Sequence, residues 1–447
     1  MQVATSIVKL EFSHEESYLK EFPKLRNPTA TSETTRNMEL QCAVQKYAWG
    51  VRGIESSVAQ LAKAANPELE VAEDQPFAEL WMGTHPSGPT VVKGTGGTLG
   101  DYISKHPDVL GSPVIQKFGK SLPYLFKVLS VNQALSIQAH PNKSHAEQLH
   151  KDRPDVYKDP NHKPEMTIAL TPFQAMCGFR PAEQIVKHLK EIHELKKVIG
   201  DAAADAFIEN PTEENLKACF SAMMNASKDT IASALSELLQ RFPGMDSGKG
   251  EELLRELFLR LHEKYPGDVG CFSIYLLNYL TLQPGESMFL GPNIIHAYLL
   301  GDCIECMACS DNVVRAGLTP KYQDVETLVS MLEYGMVPAE SRKFQGSKVD
   351  QFTTFYNPPV PDFAVDMIEV PSGTKQCTLR QVDSASILLV VEGEADGVEV
   401  SPPPVGDVPV ATSVLRGSVL FLAAGQSLTL QFKAGSRFLA FRAICVL

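Results

Sequence analysis

In Leu135-Ser136-Ile137-Gln138-Ala139-His140-Pro141 an amide and an imidazole stand two residues apart. On a strand, where side chains alternate between faces, Gln138 and His140 point the same way, with Ser136 in line behind them. His162-Lys163-Pro164-Glu165-Met166 follows, and much later Gly291-Pro292-Asn293-Ile294-Ile295-His296-Ala297-Tyr298. Each piece offers groups able to ligate a metal, in apolar sequence where a loose charge is costly. Two imidazoles, one carboxylate and one amide oxygen form an N/O set. Such a set suits zinc or another borderline first-row ion better than calcium, which prefers oxygen shells. Taken singly each candidate is weak. The signal lies in two like-facing residues on one strand, a nearby Glu and a late His after a turn. His140, His145 and His150 recur every five residues, which fits no single helix face, so only His140 is given a role. His85, in Gly83-Thr84-His85-Pro86, reads as a loop residue.

Two cations stand out by their surroundings. Lys127 lies in Pro123-Tyr124-Leu125-Phe126-Lys127-Val128-Leu129, a strand with two apolar faces, and its charge needs a partner. That partner is either an acid or a phosphate or carboxylate of a substrate. Arg315 brings a bidentate donor fork suited to a phosphate or an enediolate oxygen. Glu305 and Asp311 are acids near it in sequence that could move protons, although a loop carboxylate facing water is the commoner situation. Cys303, Cys306 and Cys309 are spaced C-x2-C-x2-C, but Val313 and Val314 stand where an iron–sulfur run would continue, so they read as small buried thiols. Gly94-Thr95-Gly96-Gly97 lacks the third glycine of a dinucleotide loop and reads as a turn.

The elements that position these groups follow from the apolar pattern. Residues 40–180 read as strands, with runs such as Leu125–Val131 and Thr167–Leu170 broken by Pro and Gly. Residues 181–264 change to helical spacing, first at Ile185, Leu189, Ile192 and Leu195, then at Ile231, Leu235, Leu238 and Phe242. Their His188, His193 and His262 read as surface residues. Strand text returns at Cys271–Leu282. It is followed by a Pro284-Gly285-Glu286 turn and His296, the way a jelly-roll barrel presents a ligand at its mouth. Val325–Leu332 reads as a helix. Ala385–Val391, Ser418–Leu422, Leu428–Phe432 and Phe438–Val446 form a second β set without His. The expected fold is mainly β with an inserted α-helical domain and two cupin-like jelly-roll β-barrels. Residues 39–180 with 265–340 would be the metal-binding domain, 181–264 the helical insertion and 341–447 a C-terminal cupin-like domain without metal.

The 447 residues carry 44% apolar and 21% charged residues, an ordinary globular balance. A net charge of −12 argues against nucleic acid or an anionic membrane as the main partner, and makes any local cluster of Lys and Arg informative. No apolar run approaches the roughly 20 residues that span a bilayer. The first residues are polar and lack the apolar stretch of a signal peptide, and their acids argue against a mitochondrial presequence. Residues 1–38 are therefore expected to be a disordered extension. Nine cysteines, an odd number thinly spread, read as reduced intracellular thiols.

Longer motifs carry a resemblance. They are Gln45-Lys46-Tyr47-Ala48-Trp49-Gly50, Ala78-Glu79-Leu80-Trp81-Met82-Gly83-Thr84-His85-Pro86, and Ser136-Ile137-Gln138-Ala139-His140-Pro141-Asn142-Lys143. To these are added Asn161-His162-Lys163-Pro164-Glu165-Met166 and Gly301-Asp302-Cys303-Ile304-Glu305-Cys306. In this order they resemble the type I phosphomannose isomerase family of the eukaryotic kind, from about Gln41 to Leu447. The resemblance implies one zinc ion per chain, held by Gln138, His140, Glu165 and His296. It also implies that Ser136, Lys127, Lys163, Tyr298, Glu305, Asp311 and Arg315 line the substrate pocket. One departure is Ile295, where members of the family often have proline.

The activity so implied is interconversion of D-mannose 6-phosphate and D-fructose 6-phosphate through an enediolate. Two neutral His, one neutral Gln and a single carboxylate would leave the ion net positive, which favours the enediolate. Lys127, Lys163 and Arg315 would offset the phosphate. Arg315 would stabilise the intermediate, and the base is left open among Glu305, Asp311 and Lys163. The implied partner is a small sugar phosphate, with neither nucleic acid nor membrane, and the implied protein is a cytoplasmic monomer. A cupin metal oxygenase and a non-catalytic sugar-phosphate-binding cupin share the layout, since fold does not fix function. The ordered motifs favour the isomerase.

Overall fold

The computed structural model describes residues 38–401, 411–432, 435 and 437–447, so the expected N-terminal extension falls outside it up to residue 37. Most of the described chain is sheet, with a helical region between Ala182 and Lys264. Among the described residues no hydrogen-bonded ladder closes into a ring, and no helix is long and apolar enough to cross a membrane.

One antiparallel sheet has at its centre the strands Tyr124–Val131, His296–Ala308 and Glu165–Ala169, extended on one side by Glu79–Met82 and on the other by Ser287–Leu290. Every residue of Tyr124–Val131 is buried because both faces are covered. On one face Phe126 and Val128, with Ile304 and Cys306, pack against Val365, Ile387, Leu389, Phe421 and Phe441 of the C-terminal sheet. On the other face Leu125, Lys127 and Leu129 border a cleft. The C-terminal sheet is built from Ala364–Val370, Phe438–Ile444, Ser386–Glu392 and Val419–Leu422, and Met38–Gln41 pairs with the last of these. This layer of side chains is shared by both sheets. The buried Tyr124 hydroxyl crosses it, donating to the Ala443 carbonyl at 3.0 Å.

Strand His296–Ala308 changes neighbours midway. Its first half pairs with Phe173–Phe179 and its second with Tyr124–Val131 and Glu165–Ala169. Ala175 faces Tyr298 while Gln174 faces Leu300, so one extra residue is inserted there as a bulge. Gly301 follows with φ +109°, where a Cβ would lie 2.5 Å from the Pro172 carbonyl oxygen. The insertion resets the alternation of side chains. Tyr298 and Glu305 are seven residues apart, an odd interval, yet both line the cleft.

The helical region buries Ile185, Leu189, Ile192 and Leu195 as their spacing predicts, but as two helices, Ala182–Glu191 and His193–Ile199, that break at Ile192. Thr212 and Ser227 cap Glu213–Met224 and Lys228–Arg241 through bonds to the backbone N–H three residues on. Fully buried Glu194 meets Arg241 through two bonds of 2.7 Å.

Several expectations need correction. The stretch 40–180 also contains the helices Ser57–Ala65, Leu99–Lys105, Ser112–Phe118 and Lys143–Asp152. Three of them have a Ser, Thr or Asn cap (Ser56, Thr98, Asn142) that overrides the strand-like text around them. Val269–Tyr275 is a buried 3-10 turn, and strand begins only at Leu277. Apolar content alone does not separate these two outcomes. His188 is buried, bonding the Tyr275 carbonyl at 2.8 Å and lying edge-on to the Tyr275 ring. The turn at Gly94-Thr95 and the buried Cys303 and Cys306 match expectation, while Cys309 is half-buried. Val325–Met331 is helical.

Candidate active site

His140, Glu165 and His296 converge from three segments. His140 follows the short strand Ile137–Ala139, while Glu165 and His296 open their strands. Nε2 of each imidazole lies 3.4 Å from Glu165 Oε2, and the ring centroids are 5.1 Å apart. All three side chains are at most 2% exposed. Among the described residues none of these three atoms has a hydrogen-bond partner, an arrangement too costly to keep without a shared ligand.

The rings are aimed from behind. His140 Nδ1 is 2.6 Å from the Asn312 carbonyl oxygen and His296 Nδ1 is 2.8 Å from that of Ile294. A protonated Nδ1 at each carbonyl leaves both Nε2 lone pairs facing Glu165, as in a metal site. Burial pushes His140 down to about 4, beyond what Glu165 restores, so its ring is neutral at neutral pH. Burial pushes the Glu165 carboxyl up, but it is held well below the usual range, with the Lys163 charge the leading opposing influence. Its Oε1 receives Lys163 at 2.9 Å, which leaves Oε2 to the imidazoles. The three donors lie within 4.8 Å of one another, a spread that fits a metal ion. Gln138 is the register partner of both His296 and Arg315, and its Oε1 accepts from Ser136 Oγ at 3.3 Å.

Glu165 and Gln138 border a cleft of about 950 Å³ that also reaches Lys127, Ser136, Lys163, Tyr298, Glu305, Asp311 and Arg315. The side chains singled out by sequence therefore meet in one place, in two tiers. At the floor, Lys127 Nζ lies 3.0 Å from Glu305 Oε2 and 3.5 Å from Glu79 Oε2, and 5.2 Å from the Trp81 ring centre. Of the two partners left open for Lys127, the structure shows acids. Burial works against the Lys127 charge, but Glu305 and Glu79 outweigh it and raise its pKa. Glu305 is raised by burial, which the Lys127 charge only partly offsets. The Tyr298 hydroxyl is buried with no hydrogen-bond partner among the described residues, and burial raises it well above its usual value.

Nearer solvent, Arg315 is half-buried and makes no ion pair among the described residues, and burial lowers its pKa. Asp311 is open to solvent, its Oδ1 3.4 Å from His85 Nε2. His85 is a loop residue, as read, but it is buried and edges the Trp81 ring on the cleft wall. Sequence reasoning gave Glu79 no role, although a carboxylate between Ala78 and Leu80-Trp81 carries the same signal that singled out Lys127.

Comparison with known proteins agrees with this geometry. Residues 38–182 match the model for the phosphomannose isomerase type I catalytic domain, 182–277 its helical insertion domain and 354–396 its C-terminal part. The chain is 48% identical to the mannose-6-phosphate isomerase of Macaca fascicularis over 425 residues, covering 92% of this chain and 99% of that protein. It is 47% identical to the Homo sapiens protein over the same shares and 42% identical to that of Cryptococcus neoformans, covering 86% and 93%. A solved variant of phosphomannose isomerase from Salmonella typhimurium superposes with a TM-score of 0.79 at 32% identity, covering 92% of this chain and all of that one. A mannose 6-phosphate isomerase bound with zinc and yttrium gives 0.77 at 32% identity and the same coverage. The chain belongs to the type I phosphomannose isomerase family and is an enzyme of that isomerase class.

Proposed function

We propose that the chain interconverts D-mannose 6-phosphate and D-fructose 6-phosphate through an enediolate, with one zinc ion held by Gln138, His140, Glu165 and His296. The observation that carries this reading is the set of three buried donor atoms that have no partner among the described residues, beside a cleft that holds the guanidinium of Arg315, likewise without an ion pair among them. Zinc bound there supplies Lewis acidity at the sugar carbonyl, stabilising negative charge as it develops.

The protein's own groups account for the rest. Arg315 and Lys163 bring positive charge to an anionic substrate in a chain of net charge −12. The Tyr298 hydroxyl and Ser136 offer hydrogen bonds to sugar oxygens. Glu305 is read as the group that carries the proton between C1 and C2. Its burial raises its basicity above that of an exposed carboxylate, and it faces the cleft floor, whereas Asp311 stands at the mouth in water. Lys127 then orients Glu305 rather than gripping the phosphate. The two large sheets are read as two cupin-like jelly rolls, of which the second holds no metal, and the enzyme as a cytoplasmic monomer.

The test is conversion of mannose 6-phosphate to fructose 6-phosphate, followed before chelation, after it and after zinc add-back, with and without oxygen. Loss on chelation and recovery with zinc, independent of oxygen, is the expected result. A chain that binds the sugar phosphate without turning it over, or that requires oxygen, sinks the reading.

A further inference from the structure

Asn312 joins two segments that supply the site. Its backbone carbonyl is the partner of His140 Nδ1 at 2.6 Å. Its side-chain Nδ2 donates to the carbonyl oxygens of Asp159 at 2.6 Å and Asn161 at 2.7 Å. Those carbonyls precede His162-Lys163-Pro164-Glu165, the segment that delivers Lys163 and Glu165. The connection is reciprocal, since Asn161 Nδ2 donates to the Cys309 carbonyl at 2.9 Å. Ser310 Oγ donates to the Asn161 carbonyl at 3.0 Å and accepts the Asn312 N–H at 3.2 Å. Asn312 and Ser310 are both 3% exposed, so water does not offer these groups an alternative.

We infer that Asn312 is a positioning residue, which fixes His140 and the Lys163–Glu165 segment at one mutual geometry. The argument is one of donor count. An Asn amide carries two N–H groups in one plane, and here both are spent on two carbonyls of the same segment. A carboxylate of the same shape has no donor for them and repels both. A hydroxyl reaches one at most. The residue touches no donor atom of the metal cluster, so its influence passes through the aim of the His140 ring and the position of the following segment. Arg315 lies three residues on, in the strand Val314–Gly317 that leads out of this anchored loop. The inference rests on the metal-dependent isomerase reading above.

The test compares Asn312→Ala, Asn312→Asp and Ser310→Ala with the parent full-length enzyme. Zinc affinity is measured by competition with a chromophoric chelator. The cobalt-substituted forms are compared by visible absorption, and kcat and KM are measured separately. Asn312→Ala is expected to weaken zinc binding by about 10–100-fold, the usual cost of losing an outer support. It should also alter the cobalt bands and lower kcat more than it changes KM. Asn312→Asp should be at least as severe. Ser310→Ala, which removes one bond to the same carbonyl, should show a smaller loss in the same direction and covers the case in which the Asn312 variants do not fold. Zinc affinity within twofold of the parent and unchanged cobalt bands, with only a lower melting temperature, would overturn the inference. A shifted zinc affinity in a parent that does not isomerise mannose 6-phosphate would instead leave Asn312 in place and remove the functional reading.

Discussion

Replacing Lys127 with Met tests how the cleft floor is held together. The ammonium stands 3.0 Å from Glu305 and 3.5 Å from Glu79, in a site where all three side chains are at most 9% exposed. At an effective dielectric of about 20 the two attractions are worth roughly 5 kcal/mol each. Their sum is a ceiling, because desolvation of the lysine and repulsion between the carboxylates oppose it. The measured cost of removing one partner from a buried pair, about 3–5 kcal/mol, is the better expectation. Met fills much of the same volume, so little of the loss should come from packing.

The pH dependence carries the sharper test. Without Lys127 the folded protein should hold Glu305 at a pKa raised further above its unfolded value. A raised carboxylate binds more protons when folded than when unfolded, so its contribution falls as pH rises through the window. The deficit of Lys127→Met should therefore be large at pH 7.5 and shrink towards pH 5. Adding Glu305→Gln should restore part of it. Urea unfolding of the metal-free protein at both pH values measures all three quantities. A loss below about 1 kcal/mol, or a deficit that grows on acidification, would refute the account of the floor as a charge-compensated trio.

Arg315→Ala should keep its metal content and lose most turnover, since Arg315 is a half-buried cleft cation with no ion pair among the described residues; unchanged kcat in a metal-replete variant would remove its role. Gln138→Glu should retain zinc but lower kcat through added negative charge at the metal, and steady-state kinetics showing a rise would count against that electrostatic reading. Burial pushes His188 down to about 4, so the folded protein loses stability as pH falls from about 6.5, where the unfolded imidazole begins to take up protons. His188→Gln should flatten that acid slope by up to about 3 kcal/mol in urea titrations, and an unaltered slope would show that His188 protonates without cost.

Much of the site was legible because charge in apolar sequence is costly. Lys127, Glu165 and His296 could be marked without any knowledge of their partners, and the structure brings the first two to one cleft and sets His296 against Glu165. What the sequence did not reveal are partners supplied from a distance. His188 occupies a position on an amphipathic helix that reads as surface, and only the Tyr275 carbonyl, 87 residues away, makes it interior. Asn312 looks like any loop amide until the carbonyls of Asp159 and Asn161 are placed beside it. Glu305 and Asp311 read alike as acids near Arg315, but one is buried at the cleft floor and the other stands in water. Glu79 differs again, since its local signal was present and was not used. The fold was legible at the level of helical and strand text, and less so in short capped helices and the 3-10 turn, where tertiary packing decides.

The extra residue before Gly301 restricts how this polypeptide can change in length. Because side chains on the long strand switch orientation there, deleting one residue between Leu299 and Gly301 would carry Glu305 to the opposite side, among Phe126, Val128 and Phe441. A side chain at Gly301 would meet the Pro172 carbonyl. The stretch from His296 to Glu305 therefore tolerates neither insertion nor loss of a residue.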